Sequence, residues 1–233
     1  MKSNFQDKSD VMAMPFLRFL YILFQIVIFG FALIPCLFLI RIFSHNLVLF
    51  AFSISFSFFL FIFLIIVYVG ILKFFIRDTK QGIWKINSKE TKIYMLNLAL
   101  TETINRTPLY SLIHLHPFFY NLFYNLIGMK HKKFFLGNNV RIVDPWNVEL
   151  GDNVIIGDNC EISGHVFENN KLIVKKIKIG NNVVIGAGSY ISPGVEIGDG
   201  SIVGALSALK KFTKIGKSEL WYGKPARKIR KLN

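Results

Sequence analysis

Cysteine and acidic residues are both scarce in this chain of 233 residues. Its two cysteines, Cys36 and Cys160, cannot make a disulfide framework, and each lies among apolar residues, where a thiol is usually buried and inert. Only 14 Asp and Glu accompany 28 Lys and Arg, so the formal net charge is +14. This excess indicates a nucleic acid, an anionic membrane surface or a phosphorylated ligand as a partner.

Nucleic acid is the weakest of these three candidates. The basic residues cluster beside apolar segments and near the C-terminus, without interleaved aromatic residues and without a nucleic-acid-binding motif. We therefore expect a lipid bilayer and a phosphorylated cofactor as partners, and no nucleic acid.

Apolar residues are concentrated before residue 80 and raise the mean hydropathy of the chain to +0.44. Two runs, residues 19–40 and 47–72, are each long enough to span a bilayer. Nothing else in the chain is large enough to bury them as core helices of a soluble protein. Residues 1–18 lack the apolar core and the cleavage site of a signal peptide, so we expect them to be retained.

Basic residues set the expected orientation of the two runs. Lys and Arg flank their outer ends at positions 2, 8, 18, 73, 77, 80 and 85, whereas the link between them has only Arg41. The positive-inside rule puts both ends of such a hairpin in the cytoplasm. The sequence therefore predicts that residues 1–80 form a transmembrane helical hairpin in the inner (cytoplasmic) membrane, as a multi-pass protein with the N-terminus and the remaining chain on the cytoplasmic side.

Residues 81–133 are aromatic and basic, which is typical of an amphipathic helical connector on a membrane surface. Residues 88–105 should form a helix capped by Ser88, and a second helix should cover residues 107–128, with a break at Pro117. The second helix carries His114 and His116. Alternate residues on a helix point to different faces, and no acidic or cysteine partner is nearby, so we expect no metal there.

A six-residue repeat organises residues 134–233. An aliphatic residue opens each hexad, at positions 136, 142, 150, 156, 162, 173, 179, 185, 191, 197, 203, 209 and 215. A second residue able to pack follows four positions later, except for Glu219 at the end. Glycine follows eight of the openers, often before Asn or Asp, which tolerate the positive φ of a tight corner. This spacing predicts a triangular parallel coil with stacked strands.

The repeat is interrupted twice, and each interruption must leave the prism as a loop. Two extra residues lie between Ile142 and Leu150, and five lie between Ile162 and Ile173. His165, the only histidine of the repeat, stands beside the second insertion. Its imidazole can take a proton near neutral pH, so it is the candidate general base, with an ordinary surface histidine as the alternative.

The order of the motifs resembles a known family. Ser163-Gly164-His165 is followed by a loop, by the hexads of residues 179–188 and 193–200, and by a final Gly223-Lys224-Pro225-Ala226-Arg227. This combination is similar to the maltose, galactoside and capsule O-acetyltransferases of the hexapeptide-repeat acyltransferase family. Pro145-Trp146-Asn147 is similar to a motif of colanic-acid-type acetyltransferases, and the region also resembles the terminal domain of polylysine-synthetase-type enzymes.

The resemblance implies a mainly β fold: a left-handed parallel β-helix over residues 134–233, with a basic C-terminal tail, after the transmembrane hairpin and the connector. It also implies a homotrimer with active sites between subunits, acetyl-CoA or another acyl-CoA as the donor, and His165 as the general base. No metal is required. Membrane anchoring suggests a saccharide or a lipid-linked surface-polymer precursor as the acceptor, with a lipid head group, an amine or a peptide as open alternatives.

The other expected site residues lie near these motifs. We expect Glu168 to orient the imidazole of His165, although a solvated loop acid is the alternative. The acceptor should contact Trp146, Asn147, Asp158 and Asn159. The donor should lie along a set of small and basic residues, although corner geometry alone also explains the glycines: Gly186, Ala187, Gly204, Ala205, Lys210, Lys211, Gly223, Lys224, Pro225, Ala226, Arg227 and Arg230. Val184 departs from the family pattern, in which many members have Trp against the pantetheine arm.

Other functions fit the sequence less well. A γ-class carbonic anhydrase needs three histidine ligands, and the repeat has one. A sugar nucleotidyltransferase needs a nucleotide-binding domain where the apolar hairpin lies. Two alternatives stay open beside the membrane-anchored acyltransferase: a non-catalytic, membrane-tethered trimeric scaffold, and an N-acyl or aminoacyl transferase acting on an amine or a peptide. Binding of coenzyme A would separate the enzymes from the scaffold.

Overall fold

Two long helices form the N-terminal hairpin. The computed structural model describes residues 8–232, with side chains from position 19 onward, so the expected retention of residues 1–18 falls largely outside the described part. Helix α1 is Lys8–Ile42 and helix α2 is Leu47–Phe74. Asn46 caps α2, because its side chain accepts hydrogen bonds from the first free backbone N–H groups of the helix.

Both helices are long and apolar enough to cross a membrane. The candidate segments are Phe19–Ile42 and Leu47–Phe74, with mean hydropathies of 2.6 and 2.7. Only 17% and 33% of the residues in their most apolar windows are buried. A core helix of a soluble protein is mostly buried, so these exposed apolar faces favour a lipid environment.

The connector contains one strand and three helices. Strand β1 (Gly82–Lys85) was not expected from the sequence. Helix α3 (Lys89–Asn105) begins where predicted, and the hydroxyl of its cap Ser88 accepts a hydrogen bond from the N–H of Thr91 at 3.2 Å. The expected second helix is present as α4 (Leu109–His114) and α5 (Pro117–Leu126), with the predicted break before Pro117.

Helix α3 lies between the hairpin and the repeat. Its residues Leu100 and Ile104 belong to one buried cluster with Ile65 and Ile66 of α2, and α1 also contacts this helix. Tyr94 and Leu98, on another side of α3, belong to a second cluster with residues of the repeat: Val143, Trp146, Leu172 and Val174. This one helix therefore joins the apolar hairpin to the repeat.

Parallel strands build the repeat into a triangular β-helix. The first face is β2 (Phe134–Leu136), β5 (Val154–Ile156), β10 (Val184–Ile185), β13 (Ile202–Val203) and β16 (Glu219–Gly223). The second is β3 (Arg141–Ile142), β6 (Glu161–Ile162), β11 (Tyr190–Ile191) and β14 (Ala208–Leu209). The third is β4 (Val148–Leu150), β9 (Ile177–Ile179), β12 (Glu196–Ile197) and β15 (Lys214–Ile215). A helical hairpin, a connector and a β-helix in this order confirm the predicted fold class.

The aliphatic residues that open the hexads fill the interior of the prism. Ile156 and Ile185, for example, are fully buried and pair in register on neighbouring coils. One predicted opener was wrong: Ile173 lies in the second insertion, where it pairs antiparallel with Val166. The coil resumes at Ile177, which is fully buried. The period is thus kept by the buried side chains, and the insertion interrupts it without displacing the coil.

Both insertions lie on the same edge of the prism, one coil apart. We call this the insertion edge; its corners connect β3 to β4, β6 to β9, β11 to β12 and β14 to β15. The first insertion forms a 3-10 turn, Pro145–Asn147. The second forms an antiparallel hairpin of β7 (His165–Glu168) and β8 (Lys171–Val174), to which β1 adds a third strand.

The end of the prism is closed by strand β17 (Ala226–Lys231), which pairs antiparallel with β16. Glu219, the residue that breaks the repeat pattern, accepts hydrogen bonds from Lys228 Nζ at 2.5 Å and Trp221 Nε1 at 2.8 Å. These two donors lower the pKa of its carboxyl to about 2. The irregular residue thus holds the terminal hairpin.

Candidate active site

A buried aspartate occupies the first insertion. Asp144 precedes the 3-10 turn and is fully buried. Its Oδ1 accepts a hydrogen bond from the backbone N–H of Gly164 at 2.7 Å, and its Oδ2 accepts one from the side-chain amide of Asn147 at 3.1 Å. The hydroxyl of Tyr94 donates a third, at 3.4 Å. A buried carboxylate with three donors is stably held in one orientation.

His165 is the first residue of the inserted hairpin, and it lies against this carboxylate. Its Nδ1 is 3.5 Å from Oδ2 of Asp144 and 3.0 Å from the hydroxyl oxygen of Ser163. Because that hydroxyl donates its own proton to the carbonyl of His165 at 3.0 Å, it must accept from Nδ1–H. Among the residues that the structure describes, none bonds Nε2. This arrangement fixes the tautomer in which Nε2 is the free base.

Two aromatic rings hold the imidazole in place. The ring centroid of Tyr94 is 4.7 Å from that of His165, and the ring of Phe167 packs edge-on at 5.6 Å. Burial, and after it the charge of Asp144, raises the pKa of Tyr94 well above its usual value. Tyr94 therefore stays neutral and remains a donor to the carboxylate.

A cleft of about 290 Å³ opens beside the imidazole, between α3 and the second face of the prism. The side chains that line it include His165, Ser163, Tyr190, Glu161, Arg141 and Arg106. The side chain of His165 is 12% exposed, so the ring is held by protein but still reaches solvent through the cleft. A proton acceptor beside a polar cleft can activate a hydroxyl or an amine that enters it.

Charged groups form one end of this cleft. Glu102 of α3 is buried and accepts hydrogen bonds from Nε of Arg106 and from Nη2 of Arg141, the latter at 3.1 Å. Glu161 is 3.9 Å from Nη1 of Arg141. The carboxylate of Glu102 thus holds two guanidinium groups at the cleft.

The expected role of Glu168 is corrected by the structure. Its carboxylate pairs with the ammonium of Lys211 on the insertion edge, not with the imidazole. The reason is the alternation of a strand: His165 and Glu168 are three residues apart in β7, so their side chains point to opposite faces. Asp144 takes the place that was expected for Glu168.

The residues expected to contact the acceptor are not exposed in the cleft. Trp146 and Asn147 are buried, Asn147 bonds Asp144, and Trp146 packs against Tyr94 with ring centroids 6.1 Å apart. They support the aspartate instead. Asp158 and Asn159 form a corner on another edge: Asp158 Oδ1 accepts from the backbone N–H of Asn138 at 2.7 Å, and Asn159 adopts a φ of 57°. These two residues therefore build the turn.

The expected donor residues are divided between two edges and the end of the prism. Lys210 and Lys211 follow β14, on the insertion edge with His165. The pairs Gly186-Ala187 and Gly204-Ala205 lie on the edge that connects the first face to the second, which we call the glycine edge. The segment 223–230, which contains Gly223, Lys224, Pro225, Ala226, Arg227 and Arg230, lies at the terminal hairpin. One chain alone does not bring the groups of the glycine edge and the terminal hairpin to His165.

Stacking explains the glycines of the glycine edge without a ligand. A Cβ on Gly186 would lie 2.3 Å from the backbone nitrogen of Ala205 on the next coil, and one on Gly204 would lie 2.6 Å from the ring of Tyr222. Only glycine fits there. Ala187 and Ala205 themselves are exposed and carry only a methyl group, so an extended ligand can approach the backbone at these two corners.

The sequence reasoning missed Asp144, Ser163, Tyr94 and Glu102. A signal existed for Asp144, because Ile142 and Ile162 pair in register on adjacent coils, which aligns Asp144 with Gly164. Ser163 lies directly before Gly164 and was noted only as part of a motif. Tyr94 and Glu102 had no such signal, since their approach depends on how α3 packs.

Histidines and acids form no metal site in the described residues 8–232, where no group of three His, Cys, Asp or Glu has the required proximity. His114 instead lies 2.9 Å, at Nε2, from the hydroxyl of Tyr124 and 2.7 Å, at Nδ1, from the carbonyl of Tyr110. His116 caps α5 by accepting from the N–H of Phe118.

Comparison with known proteins identifies the repeat. The sequence profile of the family described as "Bacterial transferase hexapeptide (six repeats)" matches residues 176–211. Residues 176–211 thus match the hexapeptide repeat of this transferase family, and the resemblance stated from the sequence is confirmed.

Among curated proteins, the galactoside O-acetyltransferase of Escherichia coli K12 is 39% identical over 109 residues, which are 44% of this chain and 53% of that protein. The chain thus spans about half the length of this relative. Among solved structures, the maltose O-acetyltransferase of Clostridium difficile 630 matches at 22% identity, with a TM-score of 0.48 over 66% of this chain and 95% of that one. A galactoside acetyltransferase in complex with coenzyme A matches at 26% identity, with a TM-score of 0.41 over 68% of this chain and 89% of that one.

Proposed function

We propose that this protein is an acetyl-CoA-dependent O-acetyltransferase that acts on a saccharide or a lipid-linked surface-polymer precursor. The observation that carries the proposal is the imidazole of His165, which is held at Nδ1 by Ser163 and Asp144 while Nε2 is free beside a polar cleft. The curated relative named a galactoside O-acetyltransferase supports acetyl transfer to oxygen.

The proposed reaction needs no covalent enzyme intermediate. Nε2 of His165 takes the proton of the acceptor hydroxyl while the oxygen forms a bond to the thioester carbonyl carbon. The tetrahedral adduct then collapses, the carbon–sulfur bond breaks, and the thiolate of coenzyme A takes the proton back from the imidazolium. Such a base typically contributes about 10²- to 10⁴-fold to the rate. Asp144 stabilises the imidazolium that forms in between.

The active form is proposed to be a homotrimer. His165 lies on the insertion edge and the exposed alanines Ala187 and Ala205 lie on the glycine edge, so two neighbouring chains would bring both to one acyl donor. A second feature supports self-association: the outward residues of the first face form an apolar column, in contrast to the third face, whose paired outward residues are charged. This column is Phe135, Ile155, Val184, Ile202 and Leu220.

The acyl donor is proposed to lie between the insertion edge of one chain and the glycine edge of its neighbour. Its pantetheine arm would follow Ala187 and Ala205, and its phosphates would meet basic residues of the insertion edge and the terminal hairpin, which include Lys210, Lys224, Arg227 and Arg230. Val184 belongs to the apolar column, so an aliphatic side chain would contact the arm where many members of the family have Trp.

Anchoring in the inner membrane is proposed on the basis of the hairpin. Its helices have the required length and hydropathy, and most of their surface is exposed. The basic residues beside the outer ends of the hairpin favour a cytoplasmic position for these ends, which is also where acetyl-CoA would be available. In this arrangement the β-helix lies on the cytoplasmic side.

A scaffold without catalysis is the rival function, and the site argues against it. A buried carboxylate that holds a histidine tautomer beside a cleft has no evident use in a scaffold. The test uses the full-length protein in lipid nanodiscs, with thermal unfolding measured with and without acetyl-CoA, and mass spectrometry of envelope glycans and lipids from cells with and without the protein. We expect stabilisation by the donor and the loss of one acetyl group from an envelope component when the protein is absent.

His165→Asn provides the matched control for that test. It should bind acetyl-CoA as the wild type does and fail to restore the acetylated product in cells. Wild-type acetylation by this variant would refute the assigned base. Absence of any stabilisation by acetyl-CoA in the wild type would favour the scaffold.

A further inference from the structure

We propose that the acceptor is a phosphate-bearing amphiphile anchored in the bilayer, whose reacting hydroxyl lies within about 16 Å of the head-group layer. This inference rests on the proposed function and narrows its substrate. It follows from how closely the cleft is joined to the apolar hairpin and from the side chains at the end of the cleft. Two sources share this chemistry, a glycerophospholipid head group and a sugar linked to a prenyl phosphate.

The cleft is connected to the end of α2 by a short chain of contacts. Lys73, in the last turn of α2, is buried, and its Nζ donates a hydrogen bond to Oδ1 of Asn97 on α3 at 2.5 Å. The same Nζ lies 4.9 Å from the ring centroid of Trp146.

Two further steps lead from Trp146 to the base. The ring centroids of Trp146 and Tyr94 are 6.1 Å apart, and those of Tyr94 and His165 are 4.7 Å apart. Together with the 4.9 Å from Nζ of Lys73 to Trp146, these steps put the imidazole ring at most about 16 Å from the ammonium of Lys73, in the last turn of α2.

The length of α2 relates this distance to the bilayer. A helix of 28 residues is about 42 Å long, which matches the ~40–45 Å of a bilayer with its head groups. Phe74 and Phe75 at its end are exposed, as aromatic residues at a membrane interface are. The end of α2 thus lies near the outer limit of the head groups. A hydroxyl on a head group that extends up to about 16 Å from the bilayer can therefore reach His165 while its lipid tail stays in the membrane.

The side chains of the cleft indicate an anionic head group. Glu102 engages Arg106 through Nε, so the two terminal nitrogens of that guanidinium remain without a partner among the described side chains. The side chain of Arg106 is 61% exposed and lines the cleft. A guanidinium fork that presents two free N–H groups is suited to a phosphate. The carboxylate of Glu161 in the same cleft can accept hydrogen bonds from hydroxyl groups.

The test is photo-crosslinking with the full chain in native membranes. The crosslinker is p-benzoylphenylalanine, introduced at Tyr190 in the cleft. Phe38, which is exposed on α1, is the positive control for bulk lipid, and Tyr222, exposed on β16 and outside the cleft, is the negative control. Intact-protein mass spectrometry detects the adducts. Fragmentation then separates a glycerophospholipid from a prenyl phosphate.

We expect adducts at Tyr190 that are enriched in one phosphate-bearing lipid relative to those at Phe38, and none at Tyr222. Arg106→Gln should lower the yield at Tyr190 by roughly tenfold, because one charged contact is lost, and should leave the yield at Phe38 unchanged. Absence of lipid at Tyr190 while Phe38 is labelled would overturn the proposal. So would adducts that match bulk lipid, that lack phosphate, or that are unaffected by Arg106→Gln.

Crosslinking reports occupancy of the cleft and does not depend on turnover. His165→Asn should therefore retain the adduct at Tyr190. If the adduct forms but acetyl-CoA does not bind, the cleft is a binding site for a phosphate-bearing lipid and the proposed acetyl transfer fails. If acetyl-CoA binds and no lipid is captured, only the acceptor proposal fails.

Discussion

Oδ2 of Asp144 lies 3.5 Å from Nδ1 of His165, and the two residues come from insertions at the same corner of consecutive coils. Each insertion alone would only be a loop. Stacked by the register of the prism, they form a carboxylate–imidazole pair. The pairing therefore depends on the hexads between them as much as on the two side chains.

Asp144→Asn should lower kcat by roughly 10²-fold with little change in KM, because a neutral amide does not stabilise the imidazolium. Its NH2 group would also face the hydrogen-bond donors that surround the carboxylate, with no acceptor to bond. Steady-state acetyl transfer over a range of pH is the measurement. Glu168→Gln is the matched control and should leave the pH–rate profile unchanged, since Glu168 pairs with Lys211. An equal loss of activity in both variants would contradict the geometry.

Gly164→Ala should also reduce activity. A Cβ at this position would lie 2.7 Å from Cβ of Asn147 and 3.0 Å from Oδ2 of Asp144, so the carboxylate would be displaced from the imidazole. The expected loss is roughly tenfold or more in kcat, measured in the same assay. Gly30→Ala on α1 is the control, because its added Cβ meets no atom within 4 Å and should leave activity at the wild-type level.

Two neighbouring residues of β5 should separate folding from association. Ile156 is fully buried and Ile155 is 47% exposed in the outward apolar column. Ile156→Ala should lower the free energy of unfolding by about 2–5 kcal/mol, because it opens a cavity in the prism. Ile155→Ala should change it much less and should instead shift the protein from trimer toward monomer in analytical ultracentrifugation. A trimer as strong as that of the wild type would argue against the column as the interface.

Stability should fall at mildly acidic pH because of His114. Burial lowers the pKa of this histidine, so its folded state disfavours the charged form. Below the ordinary histidine pKa of about 6.5, the unfolded chain binds a proton that the folded chain does not, and stability declines until the lower, folded pKa is reached. The melting temperature of the wild type should therefore drop more between about pH 7.5 and 5.5 than that of His114→Gln. Parallel curves for the two proteins would exclude this contribution.

The hairpin and the prism could be predicted because their signals are local. An apolar run of sufficient length and an aliphatic residue every six positions are visible in the sequence itself, and Ser88 and Pro117 mark helix boundaries by their own chemistry. The one wrong opener, Ile173, has a physical reason. The strands of a β-hairpin also alternate aliphatic residues, so β8, which lies outside the prism, has an aliphatic residue where a hexad opener was expected.

The candidate site was only partly predictable. His165 was found because it interrupts the repeat, but its partner was sought nearby in sequence, where strand alternation turns Glu168 away. Asp144 approaches through the stacking of coils, and Tyr94 and Glu102 approach through the docking of α3. These contacts are determined by tertiary packing, which no local pattern encodes.

Helix α3 forms one wall of the cleft and also packs against the apolar N-terminal hairpin. A fragment that begins at residue 134 would keep every hexad and every strand of the three faces, yet it would lose Tyr94, Leu98 and Glu102. It would expose Val143 and Trp146 to water and leave Asp144 short of one donor. Removing the connector together with the apolar hairpin would thus dismantle the cleft beside His165.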